Sequence, residues 1–121
     1  MSRLIRRSVP LAVLAACAAL APPAVADAPA GASKTCSVGD SRSYGTTYVL
    51  SIRASGTSCR SARSVIRAFH ACRKGKSGKC GRALGYSCSE SRFNKSSQSY
   101  DSRVSCSKGG KIVKHTYTQF L

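Results

Sequence analysis

A basic, glycine-containing loop between two cysteines is the segment of this sequence whose residue types come nearest to a chemical site. Residues 70–81 read HACRKGKSGKCG, with four lysine or arginine side chains and three glycines. Gly75-Lys76-Ser77 matches the end of the phosphate-binding P-loop, G-x-x-x-x-G-K-[ST]. However, the position five residues before Gly75 is His70, and the chain enters from a predicted helix instead of a strand. A P-loop is therefore excluded, and what is left is a basic loop that either binds phosphate-like groups or is merely solvated.

The segment before this loop has helical periodicity. Apolar residues between Cys59 and Cys72 recur on one face, Thr57 or Ser58 can cap the N-terminus, and Gly75 can end the helix. Arginines occupy an adjacent face and lead into the loop. Together they predict an anion-binding surface made of Arg60, Arg63, Arg67, Arg73, Lys74, Lys76 and Lys79.

Groups for acid–base catalysis are sparse. His70 and His115 are the only histidines, and histidine is the side chain that titrates near neutral pH. The two histidines with a lysine, or His115 with Glu90 and Arg103, are an alternative set for RNA cleavage, as in small secreted ribonucleases. Neither set has a diagnostic spacing, and the serine-nucleophile motif G-x-S-x-G is absent. We therefore expect no catalytic residues and no cofactor.

The first 26 residues are typical of an export signal. Three arginines precede an apolar stretch at 9–21, and Ala24-Val25-Ala26 is a small-residue cleavage signal. The stretch is shorter than the roughly 20 residues of a membrane span. The sequence thus predicts a secreted protein. Lipid anchoring through Cys17 is the alternative, because residues 14–17, LAAC, match a lipobox.

Removal of this signal leaves an even set of cysteines: Cys36, Cys59, Cys72, Cys80, Cys88 and Cys106. In a short exported chain such a set indicates a disulfide framework, and the spacings fit no common zinc site, so we expect no metal. Three bridges would compensate for the modest core of a chain of this size. The expected pairs are Cys72–Cys80, Cys59–Cys88 and Cys36–Cys106.

The remaining segments predict a small sheet. Residues 27–45 read as a flexible leader and loop, and residues 46–121 as a single disulfide-rich domain. Strands are predicted at 46–54, 82–90, 100–106 and 111–120, with a loop at 91–99 and a hairpin formed by the last two strands. In the first strand, Tyr48, Leu50 and Ile52 are expected to share a face. The β-α-β-β-β order predicts an α+β fold in which one amphipathic helix packs on a mostly antiparallel sheet.

Four segments of the chain carry a resemblance. They are SCRSARSVIRAFHAC, LGYSCSE, VSCSKGGKIV and HTYTQ, and the first contains the pattern S-C-x-x-A-R-x-V at residues 58–65. The chain resembles small exported cysteine-rich proteins of high-GC Gram-positive bacteria over most of residues 46–119. That group has no assigned activity, so the resemblance implies a fold style and an extracellular location without catalytic residues.

The charge of the chain limits its partners. Twenty lysines and arginines oppose four acidic residues, for a net charge of +16. This excess favours an anionic polymer or a membrane or wall surface, including nucleic acid, on whose bases Tyr44, Tyr48 and Phe93 would stack. No nucleic-acid-binding motif is present. We therefore predict a secreted cationic binding protein. A proteinase inhibitor or antimicrobial protein is an alternative based on architecture alone.

Overall fold

The computed structural model describes residues 32–40 and 44–121, in which one helix packs on a six-stranded sheet. The elements are β1 (Lys34–Cys36), β2 (Thr47–Ser55), α1 (Cys59–Cys72), β3 (Arg82–Ala83), β4 (Tyr86–Phe93), β5 (Ser99–Lys108) and β6 (Lys111–Phe120). The strand order across the sheet is β1-β2-β6-β5-β4-β3, and all neighbours are antiparallel. The expected export signal at 1–26, with Cys17, lies outside the described residues. In the described ranges no helix is long and apolar enough to cross a membrane.

The α+β class and the antiparallel, disulfide-linked sheet are confirmed, but the predicted β-α-β-β-β order is not. The structure contains two additional short strands, β1 and β3, that the predicted order lacks. The predicted strand 82–90 folds back at Leu84 and Gly85, whose φ angles of 48° and 78° are those of a two-residue hairpin turn. The predicted loop at 91–99 is also shorter, because β4 continues to Phe93.

Helix α1 begins at the predicted cap. The side chain of Ser58 accepts a hydrogen bond from the Ser61 amide at 3.1 Å, which satisfies one of the free N–H groups of the first turn. The buried residues of α1 follow the helical repeat and are at most 2% exposed; they are Ala62, Val65, Ile66 and Phe69. This face contacts β2, β3 and β6 and closes the core over one side of the sheet.

A β-bulge in β2 decides which side chains enter that core. The register with β6 shifts between Val49 and Ser51, so Leu50 is an extra residue and is 58% exposed. Ile52 is fully buried, whereas Tyr48 is only partly buried on the other side of the sheet. The prediction that Tyr48, Leu50 and Ile52 share a face is therefore wrong, because strict alternation does not continue through a bulge.

Three disulfides hold the described chain. The predicted Cys72–Cys80 bridge is confirmed, but the predicted Cys59–Cys88 and Cys36–Cys106 bridges are wrong. Cys36 on β1 pairs instead with Cys59 in the first turn of α1. Cys88 and Cys106 are direct neighbours on β4 and β5, with Cα atoms 4.0 Å apart. The prediction failed because it lacked β1 and the register between β4 and β5.

Replacing both cysteines of the Cys36–Cys59 bridge with alanine should lower the free energy of unfolding by about 3 kcal/mol, because the bridge closes a separation of 23 residues. The same change at Cys72–Cys80, with a separation of 8, should cost about 2.5 kcal/mol. Urea unfolding measures both losses. A larger loss for the shorter loop would contradict this ranking.

Candidate functional site

The structure divides the predicted anion-binding surface into exposed and buried parts. The side chains of Arg60, Arg67, Lys74, Lys76 and Lys79 are exposed. Arg63 is partly exposed and donates to the Ser37 carbonyl at 3.2 Å. Arg73, in contrast, is only 8% exposed and points into the protein. Six of the seven predicted cations, on the helix and in the loop, are therefore accessible to solvent. Arg73 is not, and it has a different role.

The guanidinium of Arg73 has all five N–H donors within reach of acceptors. Its Nε donates to the Gly78 carbonyl at 3.0 Å, and one terminal nitrogen donates to the Lys76 carbonyl at 2.7 Å and the Tyr100 hydroxyl at 2.6 Å. The other terminal nitrogen donates to His70 Nδ1 at 3.2 Å and Gln119 Oε1 at 3.4 Å. An arginine has five donors in a fixed planar arrangement. No donor is left for an external anion, so Arg73 stabilises the loop, the helix end and the sheet.

A second arginine, Arg92, forms hydrogen bonds to the basic loop that follows the helix. Arg92 on β4 donates to the Ser77 carbonyl at 2.9 Å and the Gly78 carbonyl at 2.7 Å. It also forms an ion pair with Glu90 at 3.0 Å. Together with the Cys72–Cys80 bridge, these contacts hold the loop by its carbonyl oxygens while the side chains of Lys74, Lys76 and Lys79 extend into solvent. The loop is therefore a fixed platform for exposed cations.

The carboxylate of Glu90 is directed inward. Its side chain is 3% exposed and accepts hydrogen bonds from Arg92, the Tyr117 hydroxyl and the Ser102 hydroxyl. Burial alone would raise the pKa of Glu90, but these three hydrogen bonds and the charge of Arg92 outweigh burial and lower it. Glu90 therefore stays ionised as the internal partner of Arg92.

His70 and His115 meet under the helix. Their Nε2 atoms are 3.0 Å apart, and His115 is 3% exposed. Because arginine can only donate, His70 Nδ1 accepts from Arg73, so in a neutral ring its proton is on Nε2. That proton is donated to His115 Nε2, which leaves the His115 proton on Nδ1. This N–H is buried and has no hydrogen-bond partner among the described residues.

Their environment keeps both rings neutral. Burial, with a smaller contribution from Arg73, lowers the pKa of His70 from 6.5 to about 4. Burial, followed by the nearby His70 and Arg73, lowers the pKa of His115 to about 3. Neither ring is protonated at neutral pH, so neither supplies a general acid there.

The second alternative set for RNA cleavage, His115 with Glu90 and Arg103, is divided between the two sides of the sheet, whereas the two histidines of the first set are in contact. Along β5, Val104 is buried between exposed Arg103 and partly buried Ser105, which follows from the alternation of side chains in a strand. Arg103 therefore projects from the side of the sheet opposite to the buried side chains of His115 and Glu90.

That opposite side of the sheet, which we call the open face, is covered by no described element. It contains a concavity of about 680 Å³. Three cations, Arg53, Arg103 and Lys114, line this concavity together with the hydroxyl groups of Ser51, Ser89, Ser91, Ser105 and Thr116. Because the side chains of Glu90, Val104 and His115 are buried, these residues form only its floor.

Strand register places the three cations side by side. Arg53 on β2 is the direct partner of Lys114 on β6. Arg103 on β5 is paired with Thr116, two residues from Lys114 on the same strand. Neighbouring strands are about 4.8 Å apart and two residues along a strand span about 7 Å. The cations thus form an oblique line across three strands at spacings suited to successive anionic groups.

Sequence reasoning missed the open face, although a signal for it was present. In β6 the residues 112–118, IVKHTYT, alternate between buried and more exposed positions, and the same holds for 101–106 in β5. This alternation indicates an exposed side for each strand, but it does not show which exposed residues of different strands are neighbours. The bulge at Leu50 further hid Arg53, because it reverses the face on which that residue lies.

The aromatic residues predicted to stack on bases are separated. Tyr44 is 2% exposed, with the guanidinium of Arg67 above its ring at 5.5 Å. Tyr48 and Phe93 lie on the open face and are partly exposed. The open face therefore combines cations, hydroxyl groups and accessible rings.

No known protein family, curated protein or solved structure matches this chain. Within residues 32–40 and 44–121, no group of three or more histidine, cysteine, aspartate and glutamate side chains is placed to hold a metal ion. The candidate functional groups that the fold does present are the exposed cations of the helix, the loop and the open face.

Replacing Arg73 with lysine should lower the free energy of unfolding by about 3 kcal/mol, because a lysine cannot satisfy five separated acceptors and leaves buried carbonyls unpaired. The matched control is Lys74→Gln, one residue further on and exposed, which should change stability by less than about 0.5 kcal/mol. Urea unfolding compares them, and equal stabilities would contradict the structural role of Arg73.

The protein should lose stability as the pH falls from 7 to 5. Both histidine pKa values are lowered in the folded state, so the unfolded chain binds more protons below pH 6.5 and acid favours unfolding. Each ring contributes a slope that is small at pH 7 and approaches about 1.4 kcal/mol per pH unit below pH 6.5. Urea unfolding at several pH values measures the slope, which His115→Gln should reduce. A flat profile in the wild type would show that the rings are not buried as neutral groups.

Proposed function

We propose that this is a secreted, disulfide-linked cationic protein that binds a phosphate-bearing polymer without catalysis, through the open face of its sheet. The observation that carries the proposal is the line of Arg53, Lys114 and Arg103 around an uncovered concavity of about 680 Å³. A flexible polyanion can follow this line and contact each cation in turn.

The distribution of charge supports an anionic partner. Of the acidic residues in the described ranges, Asp40, Glu90 and Asp101, the carboxylate of Glu90 is buried against Arg92. The surface thus keeps nearly all of its positive charge with little internal compensation. Binding of a polyanion to such a surface releases condensed counterions, and the resulting affinity falls steeply with salt.

The hydroxyl groups of the open face fit the same ligand. Serine and threonine donate hydrogen bonds to phosphate oxygens and thereby position a backbone that the cations attract. Five such groups surround the three cations. Their short side chains leave the concavity open, whereas long apolar residues would close it.

The secreted location and the absence of catalysis are part of the proposal. Three disulfides are typical of proteins in an oxidising, extracellular compartment. The two histidines are buried against each other and have lowered pKa values, which favours a structural role over proton transfer.

The cations of the helix and loop form a second positive surface on the other side of the sheet. Arg60, Arg67, Lys74, Lys76 and Lys79 are exposed there. They increase long-range attraction to a polyanion. A concavity of about 440 Å³ beside two of them, Arg67 and Lys76, contains the hydroxyl groups of Thr46 and Thr47. The concavity of the open face is larger and brings together three cations and five hydroxyl groups, so we assign specific contacts to the open face.

A comparison of two doubly substituted variants tests this assignment. Arg53→Gln with Lys114→Gln removes two charges from the open face, and Arg60→Gln with Lys76→Gln removes two from the helix and loop. Both variants have the same net charge. The open-face variant should elute from an immobilised polyphosphate column at clearly lower salt than the helix variant. In solution, its plot of log affinity against log salt should be shallower by about 1.4, or 0.7 for each lost contact.

Equal effects of the two variants would show that only net charge matters and would contradict a site on the open face. A larger effect of the helix variant would place the site on the sequence-predicted surface. A wild-type protein that does not bind polyphosphate at low salt would overturn the proposed function itself. Thermal unfolding of each variant checks that the fold is intact.

A further inference from the structure

The aromatic residues divide sharply between the two sides of the sheet. Five of the eight, Tyr44, Phe69, Tyr86, Tyr100 and Tyr117, are at most 6% exposed. The other three, Tyr48, Phe93 and Phe120, lie on the open face, where Phe120 is 50% exposed and the other two are partly exposed. Each of these three rings leaves part of its apolar surface in water, where a ligand can contact it.

One of these rings forms a platform with a cation. The guanidinium of Arg103 lies over the Phe93 ring, 4.4 Å from its centroid. Arg103 is exposed, so the outer surface of its planar guanidinium is accessible. A guanidinium stacked in this way can receive a nucleic-acid base on that surface while its charge attracts the adjacent phosphate.

The other two rings form a second platform. Tyr48 and Phe120 make an edge-to-face contact with centroids 5.5 Å apart. Strand pairing links Tyr48 through Thr118 and Asp101 to Phe93 in a single row across four strands. Three strand spacings separate the ends of this row by about 14 Å. The two platforms therefore mark the ends of one row.

The cations lie on one side of this aromatic row. Arg103 is two residues from Asp101 along β5, and Lys114 is four residues from Thr118 along β6. These separations correspond to about 7 Å and about 14 Å along the strands. A polymer with charged groups over the cations would therefore direct its side groups toward the aromatic row.

We propose that the open face binds single-stranded nucleic acid, with phosphates along Arg53, Lys114 and Arg103 and bases stacked on the Phe93–Arg103 and Tyr48–Phe120 platforms. This rests on the proposed function and specifies its ligand. A polymer of phosphates without rings would leave both platforms unused. A duplex would present its phosphates but not the faces of its bases, which are stacked on each other.

Asp101, in the middle of the row, fits bases better than phosphates. Its carboxylate accepts from the Thr118 hydroxyl at 2.6 Å and the Asn94 amide at 2.9 Å. These hydrogen bonds lower the pKa of Asp101 and keep it charged. A fixed carboxylate repels phosphate but accepts from the amino groups of bases.

Fluorescence anisotropy with a labelled single-stranded oligodeoxynucleotide of about 12 nucleotides, which contains all four bases and is not self-complementary, tests the inference. We expect binding that is displaced by unlabelled single strands more effectively than by polyphosphate or a duplex at equal phosphate concentration. Phe93→Ile should weaken binding of the oligonucleotide about tenfold, because the Arg103 guanidinium loses the ring that holds it in place under the base. Its binding of polyphosphate should not change. Tyr48→Ile, at the other platform, should act in the same direction. Leu84→Ala, which trims an exposed apolar side chain in the β3–β4 turn, is the matched control and should leave both affinities unchanged.

The outcomes separate this inference from the proposed function. Equal displacement by all three polymers, with no effect of Phe93→Ile and Tyr48→Ile, would overturn the base-stacking ligand while leaving polyanion binding intact. Preference for the duplex would overturn it as well. Failure to bind any of the three would overturn both. A loss of polyphosphate binding in Phe93→Ile would show that the ring supports the fold of the face and would contradict stacking.

Discussion

The five-fold hydrogen bonding of the Arg73 guanidinium is the interaction on which the rest of the structure depends. It joins the end of α1 through His70, the basic loop through two carbonyls, β5 through Tyr100 and β6 through Gln119. Its charge also lies over the Tyr117 ring at 4.8 Å. In a small domain with a limited apolar core, one buried cation with all donors paired links segments that hydrophobic packing alone would not hold in register. The same charge helps to keep both histidines neutral, so the polar interior behaves as one unit.

Because this polar interior stabilises one side of the sheet, the other side is not required for the stability of the fold. The helix, the hydrogen-bonded side chains of Arg73 and Arg92, and the two histidines all lie on one side of the sheet. The open face can therefore carry serines, cations and exposed rings without contributing to the core. An antiparallel sheet allows this division because successive side chains point to opposite sides. Alternate residues of the same strands thus serve stability and the proposed binding. In β6, for example, His115 is buried under the helix and Lys114 is exposed on the open face.

The three disulfides stabilise an edge strand, a loop and the pairing of two central elements of the sheet. Cys36–Cys59 attaches a three-residue edge strand to the helix, and Cys72–Cys80 closes the loop that Arg73 and Arg92 hold. Cys88–Cys106 fixes the register of β4 on β5, which positions Arg103 relative to Phe93. The bridges therefore support the geometry of both the loop and the open face.

Patterns local in the chain could be predicted from the sequence, and contacts between distant segments could not. The helix at Cys59–Cys72, the Ser58 cap and the final hairpin follow from periodicity, capping and glycine positions. Of the bridges, only the one that spans eight residues was predicted correctly. By itself the sequence determined the class of fold and a large positive charge, because these depend on composition and on neighbours along the chain. Only the tertiary structure decided that Arg73 is buried, that His70 meets His115, and that Arg53, Lys114 and Arg103 share a face. The first two depend on how the end of the helix packs against β5 and β6. The third depends on strand register and on the bulge at Leu50, and all three are set by packing between residues far apart in sequence.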